Sequence, residues 1–424
     1  MSNKYLDAAL AEYQGVADRY VAALKEKDLV FTEPGEGQEY RAKLRKQLAD
    51  RGVEVRNAGA SLSVGHLSPA CVACTSNRGS ETFSTTFRCH RDCYFCFNHN
   101  QPLYEKFFHE GCPWEETLER SASENEQMDA VGITGGEPLL DLDNALELLN
   151  RMGKLWPTAH KRMYTSGDLL TAESAAALRD AGLDEIRFSV KDDDTEEQQA
   201  KVLAAMRLAK EYFPSVMVEM PIIPGAEEHM KNLMMQFQEV GIDGINMLEF
   251  CFPFCNWEEF KKRGVRLKNP PFDVMYDYGY SGGLAVAGSE ELILELMLWA
   301  LDNGITYGMH YCSLDNKHRS EIRQKNEKMA NAHPCIQFDE NDFFLKTAKV
   351  FAEDLTPTRL SLEAAGCTDY MEDPDEHSIS FHPRYVNEVE MRTMALTAPA
   401  KAQMCYLVHE CDDEGSYLID VALR

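Results

Sequence analysis

Three cysteines, Cys89, Cys93 and Cys96, occupy one short stretch of the chain in the spacing Cys-x3-Cys-x2-Cys. The stretch follows residues 82–88, whose composition predicts a strand, so the three thiols share one tight loop. A [4Fe–4S] cluster takes four ligands, normally cysteines, and three cysteines leave one iron open to hold another molecule. The alternative is a structural zinc loop, but zinc normally needs a fourth protein ligand.

A second pair, Cys71 and Cys74, has the Cys-x2-Cys spacing that is common in half-sites for zinc or iron–sulfur groups. Its partners would come from elsewhere in the chain, and the sequence does not choose among Cys251, Cys255, Cys312 and Cys335. The alternative is a pair of ordinary thiols, since cysteine is among the most often buried residues. Thirteen cysteines in a chain without an export signal favour metal or redox chemistry over a disulfide framework.

The 424-residue chain carries a formal net charge of -27. Such an acidic surface repels phosphate groups, which argues against general binding to nucleic acid or to anionic membranes. No apolar run approaches the ~20 residues of a membrane span, and the N-terminus has no signal-peptide pattern. We therefore expect a cytoplasmic protein, and a cysteine-bound cluster on an exposed loop would be oxygen-sensitive.

The elements that must position the cysteines alternate regularly along the chain. Strands are predicted at 82–88, 130–134, 161–165, 185–190, 215–223, 244–250 and 305–311, with helical patterns between most of them. This alternation predicts an α/β fold with a parallel sheet, which curls into a full or partial (β/α) TIM-type barrel. Active sites in such barrels lie at the C-terminal ends of the strands, so we expect the chemistry there.

Three segments fall outside the regular alternation. Residues 1–80 are predicted to form a helical N-terminal extension with the Cys-x2-Cys loop, residues 81–335 the barrel, and residues 340–424 a small, mostly β C-terminal appendage. Residues 251–288 are aromatic and proline-rich and interrupt the barrel after its sixth strand. Because an insertion there overhangs the barrel mouth, it is either a lid that contacts substrate or a packed surface excursion.

The second predicted strand ends in Gly135-Gly136-Glu137-Pro138. Glycines let the backbone approach a ligand closely, and a carboxylate suits an amine. On the strand after a three-cysteine loop, this motif resembles the one that binds the amino group of S-adenosylmethionine (SAM) in radical SAM enzymes. The cysteine loop resembles the signature of the same superfamily, with Phe95 as the aromatic residue before the third cysteine. The resemblance implies a [4Fe–4S] cluster on the three cysteines, whose open iron chelates the amino and carboxylate groups of SAM.

The same resemblance implies SAM contacts at the tips of later strands. Hydroxyls of the third tip and a cation of the fourth would meet the SAM carboxylate or ribose, and alternation puts Arg187, Ser189 and Lys191 on one face. The fifth and sixth tips would lie near the adenine, although Pro221 replaces the first glycine of the family's G-x-I-x-G-x-x-E element. The candidates are Thr165, Ser166, Arg187, Ser189, Lys191, Glu219, Ile223, Asn246 and Glu249.

Within the superfamily, segments 184–188, 219–225, 284–290 and 310–313 resemble a branch related to pyruvate formate-lyase activating enzyme. The resemblance implies reductive cleavage of SAM to a 5′-deoxyadenosyl radical, which modifies a small molecule, a peptide or a protein. It also implies a one-electron donor such as flavodoxin or ferredoxin. Two alternatives stay open: an activase of a glycyl radical enzyme, and a non-catalytic metal-binding protein on the same fold.

Cys312 follows His310 and Tyr311 at the tip of the seventh predicted strand. The sequence leaves three roles open for its thiol. It could bind a second metal or iron–sulfur site with Cys71 and Cys74, give a hydrogen atom to a product radical as a catalytic residue, or simply pack.

Overall fold

The structure is a computed structural model. It describes residues 4–26, 28–76, 79–101, 103–191, 194–253, 255–270, 283–317, 323, 326–327, 334–340, 345–389, 404–412 and 415–423. The described α-helices are α1 (Lys4–Lys25), α2 (Gln38–Asp50), α3 (Pro69–Ser76), α4 (Tyr104–Glu110), α5 (Trp114–Glu124), α6 (Leu142–Leu155), α7 (Ala172–Asp180), α8 (Glu196–Ala209), α9 (Glu227–Val240), α10 (Trp257–Lys262), α11 (Ser289–Asp302) and α12 (Leu355–Ala364).

The strands of the first 317 residues come in chain order between these helices. They are β1 (Val30–Phe31), β2 (Glu54–Arg56), β3 (Ser61–Val64), β4 (Ser80–Ser84), β5 (Ala130–Thr134), β6 (His160–Thr165), β7 (Glu185–Phe188), β8 (Ser215–Ile222), β9 (Gly244–Glu249), β10 (Cys251–Phe252), β11 (Arg266–Leu267), β12 (Leu284–Ala285) and β13 (Gly308–Cys312). The later strands are β14 (Gln337–Phe338), β15 (Leu345–Phe351), β16 (Met371–Asp373), β17 (Ser378–Phe381), β18 (Met404–Asp412) and β19 (Gly415–Leu423).

One nine-stranded sheet organises the larger part of the chain, in the order β2-β3-β13-β9-β8-β7-β6-β5-β4. The seven strands from β13 to β4 are parallel, as the alternation of strands and helices predicts. The hairpin of β2 and β3 adds to the β13 edge in antiparallel sense, which was not expected. The sheet ends at β2 and β4, so the described strands form the partial TIM-type barrel and not the closed one.

The two faces of this sheet differ in polarity because side chains alternate along each strand. On β7, Ile186 and Phe188 belong to the hydrophobic core under the covering helices, whereas Glu185 and Arg187 are buried on the opposite, inner face. The covering helices begin at well-defined caps. Thr171 and Thr195 form capping boxes with the residues three positions later, which stabilises the start of α7 and of α8.

The chain divides into two compact units. The barrel unit contains residues 30–272 and 281–317, so β2, β3 and α3 belong with the barrel strands rather than with an extension of residues 1–80. The other unit contains residues 1–29, 273–280 and 318–424. It consists of α1, α12 and an antiparallel sheet in the order β16-β17-β15-β18-β19, with β14 on β15. Leu6 of α1 and Phe351 of β15 share a small core there.

The described ends of the insertion, residues 251–288, pack within the barrel unit. Strand β10 pairs with β12 in antiparallel sense, and β11 pairs with β1. Residues 271–282 of the predicted lid lie outside the described residues. Across the part of the chain that the structure describes, no helix combines the length and the apolar character of a membrane span.

Candidate active site

The three-cysteine loop follows β4 at the C-terminal end of the parallel strands. Its turns are closed by the backbone N–H of Cys96, which donates to the Cys93 carbonyl (3.0 Å), and by that of Arg91, which donates to Cys89 Sγ (3.4 Å). All three thiols are half-buried. Burial raises the pKa of Cys96, and the neighbouring Cys89 raises it further, so these two thiols lie within electrostatic reach of each other.

A cubane cluster attaches its cysteines to different iron atoms, so three thiols need not meet at one point. Among the described residues, no three His, Cys, Asp or Glu side chains form a group that could hold a single metal ion. The donor set itself, three thiols on one closed loop, fits a [4Fe–4S] cluster with one open iron.

Charged side chains anchor the cysteine loop to the ends of the neighbouring strands. Arg91 forms ion pairs with Asp168 after β6 (3.3 Å) and with Asp194 after β7 (2.7 Å). His90 Nε2 contacts both oxygens of Asp168 at 3.0 Å. Sequence reasoning missed these anchors. The signal for them was the pair of basic residues between the first two cysteines.

The aromatic residues between the second and third cysteines pack against the insertion. The ring of Phe95 lies 5.7 Å from that of Phe250, and Tyr94 lies 5.3 Å from Phe260. Arg263 covers the Tyr94 ring at 3.9 Å, a cation–π contact. Asn256 Nδ2 donates to the Tyr94 carbonyl (2.9 Å). Phe250 and the described part of the insertion therefore pack against the cysteine loop.

Gly135 and Gly136 bring the end of β5 against the same loop. The N–H of Gly136 donates to the Thr86 carbonyl (2.8 Å), and that of Glu137 donates to the Arg88 carbonyl (2.7 Å). A Cβ atom on Gly136 would lie 2.1 Å from the Arg88 carbonyl oxygen, which is far inside van der Waals contact. The two glycines are therefore required for this close approach, whatever else they bind, and Pro138 begins the short helical turn that follows.

Glu137 is almost completely buried, and its carboxylate ties β5 to β6. One oxygen accepts from Thr165 Oγ1 (2.7 Å) and from the Leu139 N–H (3.1 Å). The other accepts from the N–H and the hydroxyl of Ser166, both at 2.7 Å. The structure thus brings Glu137, Thr165 and Ser166 together, and in this arrangement the hydroxyls face the carboxylate.

Arg187 lies in the interior of the barrel, and its guanidinium is fully engaged. Its nitrogens donate to Glu185 (2.6 Å), to Glu219, to the Ser68 hydroxyl (2.9 Å) and to Cys71 Sγ (3.4 Å). The candidate cation that lies near the cluster loop is Lys191, whose Nζ donates to Ser189 Oγ (2.6 Å). Burial raises the pKa of Cys89, while the charge of Lys191 acts in the opposite direction.

The tips of β8 and β9 place the remaining candidates in different surroundings. The side chain of Asn246 donates to Glu219 (2.8 Å) on the inner face. Glu249 instead accepts from Lys268 and from the Leu314 N–H (2.9 Å), beside the buried Glu290. Ile223 is half-buried and its carbonyl closes the turn that leads to α9.

Cys71 and Cys312 are buried, and Cys74 lies close to them. Burial raises the pKa of Cys312 to about 12, and both Cys71 and Cys74 add to this shift, so each of these two thiols lies within electrostatic reach of Cys312. Asn316 Nδ2 donates to Cys312 Sγ (3.2 Å). Cys335, a sequence candidate for the same site, instead contacts the Asp369 carbonyl (3.1 Å) in the C-terminal sheet. A second metal site on the three thiols stays a prediction.

The similarity to known proteins includes the cysteine loop and the strands around it. Residues 83–237 match the family model described as the Radical SAM superfamily. A protein of Methanocaldococcus jannaschii, provisionally named a glycyl-radical enzyme activating enzyme, is 30% identical over 246 residues. The match covers 54% of this chain and 60% of that protein, so the chain spans about three fifths of the length of this relative.

Solved structures resemble the chain at low identity. SuiB of Streptococcus suis bound to the precursor peptide SuiA aligns at 15% identity and a TM-score of 0.34, over 52% of this chain and 45% of that one. HemN of Escherichia coli, a coproporphyrinogen III oxidase described as a radical SAM enzyme, aligns at 14% identity and a TM-score of 0.35. That alignment covers 56% of this chain and 55% of the other. Neither similarity identifies a substrate.

Proposed function

Since residues 83–237 are a radical SAM domain, we propose that this protein is an enzyme that cleaves SAM reductively at a [4Fe–4S] cluster held by Cys89, Cys93 and Cys96. The observation that carries the proposal is the docking of the cysteine loop onto the Gly135-Gly136 end of the next strand. A zinc scaffold would need a fourth protein ligand and would not need this close approach of two backbones.

The cluster and SAM, when bound, supply a 5′-deoxyadenosyl radical that removes a hydrogen atom from substrate. The protein binds and orients them and excludes water. In this proposal the three thiolates hold the cluster, and Lys191 meets the SAM carboxylate with a charge-assisted hydrogen bond. Glu137, Thr165 and Ser166 fix the strand ends that approach SAM, and a protein such as flavodoxin or ferredoxin delivers the electron.

The substrate of the radical is a small molecule, a peptide or a protein. The relative from Methanocaldococcus jannaschii favours one specific alternative, activation of a glycyl radical enzyme. An activase would leave a stable glycyl radical on a partner protein, which electron paramagnetic resonance detects. An enzyme acting on a metabolite or peptide would leave no such signal.

The proposal is tested by Cys93→Ala in the anaerobically reconstituted full chain. We expect the wild type to bind about four irons at this site and to form 5′-deoxyadenosine with SAM and dithionite, and the variant to form none. The matched control is Cys112→Ala, another half-buried cysteine, which keeps both properties. Full formation of 5′-deoxyadenosine by the Cys93 variant would refute the proposal.

The second metal site is proposed on Cys71, Cys74 and Cys312, and iron counting tests it separately. A triple alanine variant of Cys89, Cys93 and Cys96 removes the first cluster. Iron and sulfide retained by that variant support a second cluster. If the variant binds no iron, the site on Cys71, Cys74 and Cys312 does not hold one.

A further inference from the structure

Three polar side chains form a row on the inner face of the barrel. Glu219 on β8 pairs in register with Asn246 on β9, which in turn pairs with His310 on β13. Residues paired in register on parallel strands project to the same face. Asn246 Nδ2 donates to Glu219 Oε2 (2.8 Å), and His310 Nε2 lies 2.8 Å from the Ser61 hydroxyl. The row is therefore fixed at both ends by hydrogen bonds.

Two atoms of this row have no hydrogen-bond partner among the described side chains: Asn246 Oδ1 and His310 Nδ1. The orientation of the amide is set by chemistry, because a carboxylate accepts only and so must face Nδ2. Asn246 Oδ1 is therefore an acceptor that requires a donor. Both residues are buried, with 4% and 3% of their surfaces exposed, so an unmatched polar atom is costly there.

The imidazole of His310 is held at one nitrogen only. Its Nε2 faces the Ser61 hydroxyl, which can either donate to Nε2 or accept from it. His310 Nδ1 can therefore present an acceptor or a donor to a bound molecule.

Lys317, just after β13, brings a positive charge to the same region. Its electrostatic neighbours are Cys312, Cys251, Glu219 and Tyr164. None of these is a cluster cysteine, whereas Lys191 acts on Cys89 and Cys96. The two lysines thus act at different places: Lys191 acts at the cysteine loop, and Lys317 acts at the row of Glu219, Asn246 and His310.

Five charged side chains of this region carry one positive charge in excess. The carboxylates of Glu185 and Glu219 both pair with Arg187, and Arg162 adds a second buried guanidinium. With Lys317, these three cations exceed the two carboxylates by one positive charge. A ligand with a single negative charge and a nearby hydrogen-bond donor would complement this interior.

We propose that this row, together with Lys317, binds the substrate of the radical reaction through a carboxylate and an adjacent hydroxyl or amino group. Lys317 holds the carboxylate, Asn246 Oδ1 accepts from the hydroxyl or amino group, and His310 Nδ1 makes the third contact. The inference rests on the proposed function and names its substrate class. The carboxylate belongs either to a free hydroxy or amino acid or to the C-terminus of a peptide.

The experiment compares acids with their amides in the wild-type enzyme. The reconstituted full chain is saturated with SAM, so that the amino-carboxylate site at the cluster is filled. The probes are amino acids and 2-hydroxy acids, tripeptides with free C-termini, and the corresponding primary amides. The readouts are the melting temperature and the rate of 5′-deoxyadenosine formation.

We expect at least one acid to raise the melting temperature and the rate, and its amide to bind about tenfold more weakly or worse. Free acids and peptides are separate arms, so the arm that responds identifies the source of the carboxylate. We expect Lys317→Gln to weaken the binding of the acid by a similar factor. Lys262→Gln, whose side chain is 67% exposed, is the matched control and should respond like the wild type.

Three outcomes would overturn the inference: no acid in either arm has an effect, amides bind as well as acids, or Lys317→Gln responds like the wild type. The comparison of acid with amide uses the wild-type enzyme alone. It therefore tests the need for a carboxylate even if Lys317→Gln fails to fold. Formation of 5′-deoxyadenosine without any added acid is measured first. If the wild type forms none, the proposed function fails; if it does and no acid acts, only the substrate class fails.

Discussion

Among single residues, Arg187 has a structural role in the barrel interior. It pairs with the buried carboxylate of Glu185 and the half-buried carboxylate of Glu219 and also donates to Ser68 and Cys71. The charge of Arg187, together with His160, holds the pKa of Glu185 well below its usual range although burial opposes this. A guanidinium offers five donors in a planar fork, which a lysine cannot reproduce. Arg187 therefore maintains the shape of the interior.

Arg187→Met tests this role. We expect the substitution to lower the free energy of unfolding by about 3–5 kcal/mol, because it leaves the buried Glu185 and the half-buried Glu219 without this partner. Urea unfolding followed by tryptophan fluorescence measures the change in the barrel unit, which contains all four tryptophans, Trp114, Trp156, Trp257 and Trp299.

Lys201→Ala provides the control for Arg187→Met, since it removes an exposed ion pair on α8 and should cost less than about 1 kcal/mol. Equal losses in the two variants would contradict the structural role of Arg187.

Among elements, the contact between the end of β5 and the cysteine loop leaves no room for a side chain at Gly136. Gly136→Ala would place a Cβ atom 2.1 Å from a backbone oxygen, so the loop must move. We expect lower stability by more than about 1 kcal/mol and a lower iron content per chain after reconstitution.

The matched control for Gly136→Ala is Gly153→Ala within α6. A Cβ at that position would meet only the end of Lys161 at 3.6 Å. Because alanine is the better helix former, this variant should be as stable as the wild type or up to about 1 kcal/mol more stable. Normal iron binding by the Gly136 variant would show that the close approach is dispensable.

A second junction between elements is electrostatic and joins α2 to α11. Glu290 of α11 is buried between Arg45 of α2 and Lys268, with contacts of 2.6 Å to each. Although burial opposes ionisation, Lys268 and Arg45 lower its pKa from 4.5 to about 2. A carboxyl whose pKa is lower in the folded than in the unfolded chain stabilises the fold above the unfolded pKa. That stability is lost as the pH falls from 4.5 toward 2.

Glu290→Gln should therefore be less stable than the wild type at neutral pH, by about 1–3 kcal/mol, and should lose less stability on acidification. Melting temperatures between pH 7 and the acid limit of the fold measure both effects. Glu295→Gln on the same helix serves as the control. The Glu295 carboxylate accepts a hydrogen bond from the hydroxyl of Tyr40, which is exposed and neutral. Parallel pH profiles for the wild type and the Glu290 variant would contradict this assignment.

At the scale of the whole molecule, the chain forms its second unit from both of its ends. In α1, Leu6 is buried with Phe351 of β15, more than three hundred residues later. Leu6→Asp should destabilise this unit by about 2–4 kcal/mol, because a charge replaces a buried side chain. Hydrogen exchange of the β15 amides measures the loss.

The matched control for Leu6→Asp is Leu360→Asp on α12, where the leucine is 52% exposed in the same unit. This variant should leave the protection of β15 unchanged. Unaltered exchange in the Leu6 variant would contradict the packing of α1 in this unit.

Local patterns in the sequence predicted the barrel strands well. Strands β5, β6, β8 and β9 fall within one residue of their expected ends, because they belong to a regular alternation of strands and helical segments. Pairings between distant segments were not predictable, which is why the addition of β2 and β3 next to β13 was missed. At the site, the cysteine loop and Gly135-Gly136 were found by their spacing. The hydrogen bonds of the Arg187 guanidinium depend on Glu185, Glu219 and Ser68, and no spacing rule links those positions in the sequence.

The arrangement of α1 also has a consequence for how the chain is made. The ribosome produces α1 before the barrel and β15 after it, so the helix leaves the exit tunnel long before its partner strand exists. The parallel strands from β4 to β9 can pair during synthesis, because each pairs with a near neighbour in the chain. The pairing of α1 with β15 must wait, and until then the apolar side of the helix is open to chaperones and to other nascent chains. Premature termination anywhere within the barrel would leave that helix without its partner.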